Sequence, residues 1–512
     1  MKKLWIALLS AMVVFAIAMP ASAVDVKFSG TYHVWGLLDN NHSLIDDGSY
    51  INAGAGIYTP GQTGSQAFYQ QRLRIQTEFT VVEGLKLVTR FDALEKKWGD
   101  KRWTGAVDTT SRSSQGAANA AVQENIEFER AYVDFNTGIG KFLVGYQQFI
   151  TFGTLFGDSM GTRAGIKYLA PIGPVTLIAA IEKGEESSWG RPTTVAGDSL
   201  YKDADADIYD LGVVYKGQAV EAGVIFQYGR NATARDFGVT VATDYGTLTQ
   251  LLVIDPYFKA TFGSFYLEGE AAVVTGKMKW DNPYLVYTAA NSLVTDVTME
   301  GIGLYLGARY DLQPVYFGLA FAWIRGDDPA TPDKKEGGFM AGLLAGQAYN
   351  PALMMFNDDF HTWVGSNGSG TYRGAVPAAN GVNTFMDNVW FYHLYVGVKP
   401  VPKADVKLAF TYAYADKKPW ANAPALGYTT VAGVLNTGNS LTEYNSNKYG
   451  YELDLTASYK IYDNLEYMVG AGYFWVGDYF KGCYNSTQAG CRSIEPALSN
   501  DYLLMHKLTL SF

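Results

Sequence analysis

The chain has 512 residues, of which 48% are hydrophobic and 14% aromatic, with 55 glycines and a formal net charge of −10. A mean hydropathy of −0.04 excludes a helical membrane protein, which needs several apolar runs of about 20 residues. The isoelectric point near 5.1 argues against nucleic-acid binding, and the many glycine and aromatic residues argue against disorder. A large hydrophobic fraction with almost no mean hydropathy indicates that apolar and polar residues alternate finely.

The first 23 residues have the features of a cleaved signal peptide. Lys2 and Lys3 precede an apolar stretch at 4–19, and Ala-Ser-Ala at 21–23 matches the pattern that signal peptidase recognises. Because the apolar stretch is short and polar residues follow it, cleavage is favoured over a retained membrane anchor. We therefore predict an exported protein with a cleaved segment at 1–23 and a single mature domain at 24–512.

From residue 24 onward, the dominant pattern is period-two alternation in segments of roughly 10 to 14 residues. In 72–81, for example, Leu73, Ile75 and Phe79 fall on one face, whereas Arg72 and Arg74 fall on the other. The pattern predicts eighteen strands, or sixteen if one hairpin is misread. The predicted ranges are 24–37, 66–81, 84–95, 124–136, 139–149, 161–170, 173–184, 205–216, 219–230, 254–263, 264–280, 297–311, 314–325, 386–399, 403–415, 447–461, 464–478 and 500–512.

Short and long connections alternate strictly along these strands. Tight turns such as Asn136-Thr137-Gly138 and Gly263-Ser264 follow the even strands, and long connections such as 38–65 and 326–385 follow the odd ones. This alternation places all the turns at one end of the sheet and all the loops at the other. It predicts an up-and-down antiparallel barrel with short periplasmic turns, long extracellular loops and both chain ends in the periplasm.

The strand number favours a transmembrane barrel over a soluble one. Eighteen strands enclose a lumen too wide for side chains to fill, so an apolar interior would be a wet cavity. With apolar residues facing lipid and polar residues facing water, closure also satisfies every backbone hydrogen bond. Aromatic residues near predicted strand ends are expected to form an interfacial girdle; they are Trp98, Tyr168, Tyr228, Trp280, Trp323, Trp420 and Tyr479.

The last strand ends at the chain terminus with Leu504, Leu508, Leu510 and Phe512 on one face. These residues resemble the C-terminal signature by which bacterial outer-membrane barrels are recognised for assembly. His506 lies on the same face, where that signature usually has an apolar residue.

With this signature, the mature chain resembles a bacterial outer-membrane porin of the general-diffusion type over its whole length. The most similar segments are Val24–Gly30, Arg72–Phe79 and Gly140–Gln147, and they look most like porins of metal- and sulfate-reducing proteobacteria. The resemblance implies passive diffusion of small hydrophilic solutes through a homotrimer, without catalysis, cofactor or nucleic acid. It also implies outer-membrane lipid, lipopolysaccharide and the barrel-assembly machinery as partners.

If the apolar faces contact lipid, the opposite faces direct charged residues into the lumen. The predicted basic residues are Arg72, Arg74, Lys86, Arg90, Arg130, Arg163 and Lys167, and the predicted acidic residues are Glu268, Glu270, Glu452, Asp454 and Glu466. Opposed basic and acidic walls would create a transverse field and a weak ion selectivity. The early basic residues resemble the cluster on the first strands of general porins, but a polar wall also needs charges merely to stay hydrated.

Two connections are candidates for narrowing the lumen. By the porin resemblance, the loop after the fifth strand, at about 150–160, folds inward, and its apolar residues suit burial against the wall. The longer connection at 326–385, with Asp327, Asp328, Asp358 and Asp359, is the competing plug.

The remaining motifs are weak. Cys483 and Cys491 are predicted to form a local disulfide in an exported loop, with no CxxCH haem motif. Gly157-Asp158-Ser159-Met160-Gly161 and His361 resemble esterase motifs, but Ser159 lies between two strands rather than in a strand–turn–helix elbow.

Asp203, Asp205 and Asp207 resemble the start of a calcium loop but lack its glycine and final glutamate. Calcium bridging and a solvated loop therefore both stay open, and no metal site is predicted from the five histidines.

The sequence therefore predicts a porin that is not an enzyme. Two alternatives remain open: a substrate-specific outer-membrane channel, and a barrel that sheathes an electron carrier crossing the outer membrane.

Overall fold

The structure is a computed structural model. It describes residues 24–42, 44, 52–53, 56–57, 65–99, 126–149, 151–158, 161–186, 205–233, 247–280, 287–289, 292–294, 296–328, 331, 333–337, 348–364, 386–421, 430–431, 434–435, 442–484, 495 and 497–512. The predicted signal peptide lies outside these residues.

Eighteen long strands form one continuous sheet. They are β1 (Asp25–Asp39), β2 (Gln66–Val82), β3 (Leu85–Lys97), β4 (Ile126–Thr137), β5 (Gly140–Gln148), β6 (Thr162–Ile172), β7 (Val175–Glu185), β8 (Ala206–Lys216), β9 (Val220–Asn231), β10 (Thr247–Phe262), β11 (Phe265–Trp280), β12 (Asp296–Leu312), β13 (Val315–Ile324), β14 (Val389–Val398), β15 (Ala404–Tyr414), β16 (Lys448–Tyr462), β17 (Leu465–Val476) and β18 (Asp501–Ser511).

The sheet closes on itself as an antiparallel barrel. Each strand pairs with the next along the chain, and β18 pairs with β1, from Ser511 opposite Thr31 to Leu503 opposite Asp39. A two-residue strand, Lys334–Lys335, adds to β12 in parallel. The prediction of an eighteen-stranded barrel is confirmed and the sixteen-stranded alternative is wrong, although β10 begins at residue 247, earlier than the predicted 254.

Short turns join the strands at one end of the barrel, and the long connections lie at the other end. In the turns after β2 and β10, Gly84 and Gly263 have φ values of 79° and 60°, which glycine adopts without a Cβ clash. The start of β1 and the end of β18 lie at the turn end, where Gly30 and Phe512 exchange two backbone hydrogen bonds. The predicted alternation of turns and loops is therefore confirmed.

Apolar side chains cover the outside of the barrel. Leu211, Leu306, Leu394 and Leu455 alternate with inward-facing residues and are all exposed on the outer surface. A monomeric soluble protein rarely exposes an apolar surface of this extent. The pattern matches the expected apolar coat of a membrane barrel.

Outer aromatic residues cluster near the loop end. Trp98 stacks on Tyr69 at 5.1 Å, and the His506 ring lies edge-on to Tyr69 at 5.4 Å. Tyr479 does not join the predicted girdle, because it is buried against Tyr449 with ring centroids 4.5 Å apart. The side chains of Trp280 and Trp420 lie outside the described part of the structure.

Helical structure is sparse. The described chain contains one short α-helix, α1 (Asp358–Val364), and a single 3₁₀ turn at Asp478–Lys481. Across the described residues, no helix is long and apolar enough to cross a membrane.

Candidate functional site: the lumen of the barrel

The inner faces of β2, β3 and β4 carry a network of ion pairs centred on Arg74. Its guanidinium donates to both carboxylate oxygens of Asp92, each at 2.7 Å, and to Glu129 at 2.9 Å. Arg90 pairs with the other oxygen of Glu129 at 2.6 Å, and Arg72 lies 3.9 Å from Asp92. Three predicted basic residues are thus brought together, but their charges are largely balanced by neighbouring carboxylates.

The other predicted basic residues also have partners on the inner wall. Lys86 bonds to Glu78 at 3.1 Å, Arg130 contacts Gln148, Arg163 bonds to Glu182 at 2.7 Å, and Lys167 donates to the Gln148 carbonyl at 3.0 Å.

The predicted acidic residues of the lumen differ in the groups that they contact. Glu268 accepts hydrogen bonds from the hydroxyls of Tyr266 at 2.7 Å and Tyr305 at 2.8 Å. Glu466 lies on β17 opposite Thr509 of β18 and is partly exposed. The other three, Glu270, Glu452 and Asp454, are buried and bind backbone amides of chain segments inside the barrel.

One inserted segment is 151–158, which follows β5. The Thr154 and Gly157 amides donate to the Glu270 carboxylate of β11 at 2.9 and 3.2 Å, and the Thr154 hydroxyl bonds to the same oxygen. Phe152 packs edge-on against Tyr257 of β10, with ring centroids 4.9 Å apart. The segment therefore reaches from β5 to the inner face of β10 and β11, so the shorter candidate loop enters the lumen.

The longer candidate also enters the lumen, through residues 348–364. The Leu353, Met354 and Met355 amides donate to carboxylates on the inner face of β16: Leu353 to Asp454 at 3.1 Å, and the methionines to Glu452 at 2.8 and 2.7 Å. These three hydrogen bonds join residues that lie about a hundred positions apart in the chain. This contact fixes the segment against the inner face of β16.

The helix α1 completes the second segment. The Asn357 side chain caps its first turn by accepting the Phe360 amide at 2.9 Å, and Asp358 and Asp359 occupy the helix N-terminus. At the other end, the Gln66 side chain of β2 donates to the Val364 carbonyl at 3.1 Å. The segment thus bridges from β16 to β2 within the barrel.

The two inserted segments contact each other. The Phe156 ring stacks on Tyr305 of β12 at 5.1 Å, and Tyr349 lies edge-on to the same tyrosine at 5.2 Å. The Ala348 amide donates to the Asp158 carbonyl at 3.2 Å. Burial holds the pKa of Tyr349 above its ordinary value, so its phenol stays neutral beside Tyr305. From the sequence, the two loops were alternative candidates for narrowing the lumen. In the structure, both the 151–158 and the 348–364 segments enter the lumen and contact each other.

Part of the lumen is apolar, which corrects the expectation of a wholly polar interior. Inward-facing side chains of the wall and of the 348–364 segment form a hydrophobic cluster; its members include Trp35, Leu37, Met354, Met355, Phe356, Phe360, Phe391 and Leu503. Segments that enter the barrel replace the water that an apolar inner wall would otherwise contact.

A tyrosine-rich stretch of wall lies nearer the turn end. The Tyr257 hydroxyl donates to Glu221 at 2.9 Å and the Tyr316 hydroxyl donates to Asp405 at 2.7 Å. The Arg309 guanidinium lies over the Tyr316 ring at 4.1 Å. Phenol rings, carboxylates and a guanidinium therefore lie side by side on this part of the inner wall, for which the sequence predicted only acidic residues.

Sequence reasoning missed several residues that shape the lumen. Asp92 follows Arg90 by two positions and so shares its inner face, which strand alternation could have revealed. Glu129 was missed because the β4 pairing shifts register beside Arg130. Tyr349 carries no sequence signal, because nothing in the periodicity of a long connection indicates that it folds inward.

The esterase motif gains no support. Ser159 lies outside the described residues, and the His361 Nε2 atom is 2.7 Å from the Met354 carbonyl oxygen. With that nitrogen donating to a carbonyl, His361 helps hold the inserted segment together.

The predicted ion and disulfide sites fall at the loop end. Lys183 pairs with Asp205 at 2.8 Å and with Asp207 at 3.0 Å, and Asp203 lies outside the described residues, so calcium bridging of this loop stays untested. The described residues include no group of three or more His, Cys, Asp or Glu able to hold a metal ion. Cys483 is buried and Cys491 is not described, so their disulfide stays a prediction.

Comparison with known proteins finds similarity only among solved structures. The OpdK channel of Pseudomonas aeruginosa, solved with vanillate, aligns with a TM-score of 0.45 at 10% identity over 95% of this chain and 98% of that one. The DcaP channel of Acinetobacter baumannii aligns with a TM-score of 0.38 at 14% identity over 96% and 97%. OmpT of Vibrio cholerae, in its trimer form, aligns with a TM-score of 0.36 at 10% identity over 96% and 100%. No protein-family model and no curated protein matches the chain.

Proposed function

We propose that this chain is an outer-membrane channel through which small hydrophilic solutes and ions diffuse passively. The observation that carries the proposal is a closed eighteen-stranded barrel with an apolar outside, a charged inner wall and two chain segments that narrow its lumen. Such a barrel supplies a path through lipid, and its inner charges and inserted segments set the size and charge of what passes. No bond is made or broken in this function.

The same proposal covers the environment of the chain. We infer cleavage of residues 1–23, insertion into the bacterial outer membrane among lipid and lipopolysaccharide, and both mature termini in the periplasm. Assembly into a homotrimer, recognition of Phe512 by the barrel-assembly machinery and a Cys483–Cys491 disulfide belong to it too. The position of both chain ends beside the short turns supports the orientation.

Conductance in a planar bilayer tests the proposal. The purified protein is expected to form discrete, water-filled channels, and a variant with Arg72→Gln and Arg74→Gln should become about twofold more cation-selective, because two lumen cations are removed. Lys403→Gln, which removes one charge from the turn after β14, is the control and should leave selectivity unchanged. A protein that never forms channels would refute the proposed function. If the variant forms channels of unaltered ion selectivity, Arg72 and Arg74 do not line the constriction.

A substrate-specific channel is the second candidate, and the double insertion favours it. Beside the two contacting segments and the apolar cluster, the inner walls differ in chemistry, with paired arginines on β2 and tyrosines such as Tyr316 on β13. Saturable conductance that one class of solute blocks would support this candidate. Ohmic, unblocked conductance would favour general diffusion.

The sheath for an electron carrier is less favoured. The inserted segments occupy lumen space that a second protein would need, and they are held there by buried carboxylates. Co-purification of a cytochrome with the barrel would favour the sheath over the channel.

A further inference from the structure

Two polar side chains face outward beside the seam where β1 pairs with β18. His506 is the middle residue of β18, and Gln71 lies on the outer face of β2, two positions from the exposed Tyr69. The next outward residues of these strands, Leu73 and Leu508, are apolar. The two polar residues are therefore exceptions in a surface that the proposed channel presents to lipid.

The His506 ring is held between aromatic rings of the neighbouring strands. It lies edge-on to Tyr69 at 5.4 Å and tilted against Tyr467 of β17 at 5.9 Å. A Cβ at position 36 of β1 would lie 2.5 Å from its Nε2 atom, so Gly36 leaves the space that the imidazole occupies. The imidazole therefore lies against the outer surface of β1, in a place that the neighbouring side chains define.

Gln71 uses the oxygen of its carboxamide but not the nitrogen. The oxygen accepts the Trp98 indole N–H at 2.8 Å and the Tyr32 hydroxyl at 3.3 Å. Among the described residues, no acceptor pairs with the Gln71 Nε2 group, and neither ring nitrogen of His506 has a hydrogen-bond partner. The hydrogen-bonding capacity that remains is directed at whatever covers this outer face.

Hydrocarbon cannot supply the missing hydrogen bonds. An amide or imidazole without a partner in apolar surroundings costs free energy, because water no longer solvates it. Polar side chains that face lipid are rare for this reason, and hydrogen bonds between polar side chains stabilise contacts between membrane-spanning segments. The two residues therefore indicate that another polar surface, rather than acyl chains, covers this part of the barrel.

The exposed groups match those of a second copy of the chain. A carboxamide nitrogen donates hydrogen bonds, and a neutral imidazole carries one donor and one acceptor nitrogen. Gln71 and His506 of one copy thus offer both the donors and the acceptor that the same residues of another copy need. A cyclic oligomer brings the same strands of every copy to its axis, so such an arrangement can close.

We propose that copies of this chain associate through a seam patch, with hydrogen bonds between copies at Gln71 and His506. The seam patch is the outer surface formed by Tyr32, Tyr69, Gln71, Trp98, Tyr467 and His506. The inference rests on the proposed channel function, because it requires the apolar outer surface to lie in lipid. Tyr69 and Trp98 are 45% and 52% exposed and stack on each other, so they add a flat apolar area beside the polar groups.

Replacing both polar residues tests the seam patch. A Gln71→Leu, His506→Leu variant should fold and conduct like wild type, because leucine suits a position that faces lipid. Its oligomer should dissociate with a constant at least about tenfold higher than that of wild type, measured by light scattering over a dilution series in detergent. Gln250→Leu is the matched control, since its carboxamide lies on the opposite side of the barrel and donates to the Tyr228 hydroxyl at 2.7 Å; it should leave the constant unchanged.

A cross-link in membranes tests the same contact without altering the polar residues. Leu504→Cys places a thiol on the exposed outer face of β18, two positions from His506. A thiol-reactive cross-linker with a short spacer, added to outer-membrane fractions, should join copies of this variant in pairs. Leu211→Cys, at an exposed outer position of β8, is the control and should remain unlinked.

The outcomes separate the two proposals. A wild-type protein without any conductance would contradict the channel function itself. A wild type that conducts as a monomer, with or without bound lipopolysaccharide, or a double variant as oligomeric as wild type, would overturn the role of the seam patch. If the double variant fails to fold, the cross-link at position 504 decides, and equal linking at positions 504 and 211 would count against the patch.

Discussion

At the scale of single residues, charges in the lumen are set by their partners. Arg74 donates two parallel hydrogen bonds to Asp92, an arrangement that suits the planar guanidinium and is stronger than a bond between neutral groups. Only 4% of the Asp92 side chain is exposed, so its charge depends on that arginine. The inner wall formed by β2 to β4 therefore carries nearly balanced charges. The ion selectivity of the lumen then depends on the small net charge that remains there.

Asp92→Asn should shift that balance toward anions. The substitution removes one buried negative charge while Arg74 keeps its contact with Glu129, so anion permeability relative to cations should rise by roughly twofold. Weaker hydrogen bonds to the arginine should cost about 1–2 kcal/mol of stability.

Reversal potentials under a salt gradient measure the effect. Asp463→Asn makes the same charge change at a fully exposed turn position and should leave the reversal potential unaltered. A shift of equal size in both variants would mean that bulk charge, rather than the lumen network, sets selectivity.

At the scale of elements, the strands and the inserted segments differ in how they are stabilised. A barrel strand obtains its hydrogen bonds from both neighbours, and its alternation decides which face meets lipid. The 151–158 and 348–364 segments have irregular backbones, so they satisfy their amides with wall carboxylates and pack aromatic rings against the wall. Their position therefore depends on a few contacts.

Phe156→Ala should loosen both segments. The ring is 1% exposed and stacks on Tyr305, so its loss should cost about 3–5 kcal/mol and increase conductance. Leu155→Ala is the matched control, because Leu155 is 59% exposed and its truncation should change stability by less than about 0.5 kcal/mol.

Combining Phe156→Ala with Tyr349→Ala tests whether the segments act together. Because both rings pack on Tyr305, their effects on thermal stability and on conductance should be less than additive. Strict additivity would indicate two independent constrictions.

At the scale of the whole molecule, closure between β1 and β18 makes the barrel. The pairing from Thr31 to Asp39 leaves no free edge at this seam, and Phe512 adds two backbone hydrogen bonds to Gly30. Half of the Phe512 side chain is exposed, so its ring contributes little packing. We therefore expect the ring to act in assembly rather than in packing.

Phe512→Ala should separate assembly from stability. We expect the amount of folded protein in the outer membrane of expressing cells to fall severalfold, while the protein refolded in detergent unfolds within about 1 kcal/mol of wild type. Val401→Ala, at an equally exposed turn position at the same end of the barrel, should change neither quantity. Equal losses in cells and in detergent would make Phe512 a packing residue only.

The sequence by itself determined the barrel. Leu73 and Arg74 alternate because a strand repeats every two residues, and turns such as 83–84 alternate with long connections, so local patterns were enough to predict closure, strand number and the two faces. Only the tertiary structure decided what fills the lumen. The contact of Thr154 with Glu270 joins residues 116 positions apart, and that of Gln66 with Val364 joins residues 298 positions apart. Such contacts leave no periodic trace, because they depend on where irregular backbone finds a hydrogen-bond acceptor across the folded barrel.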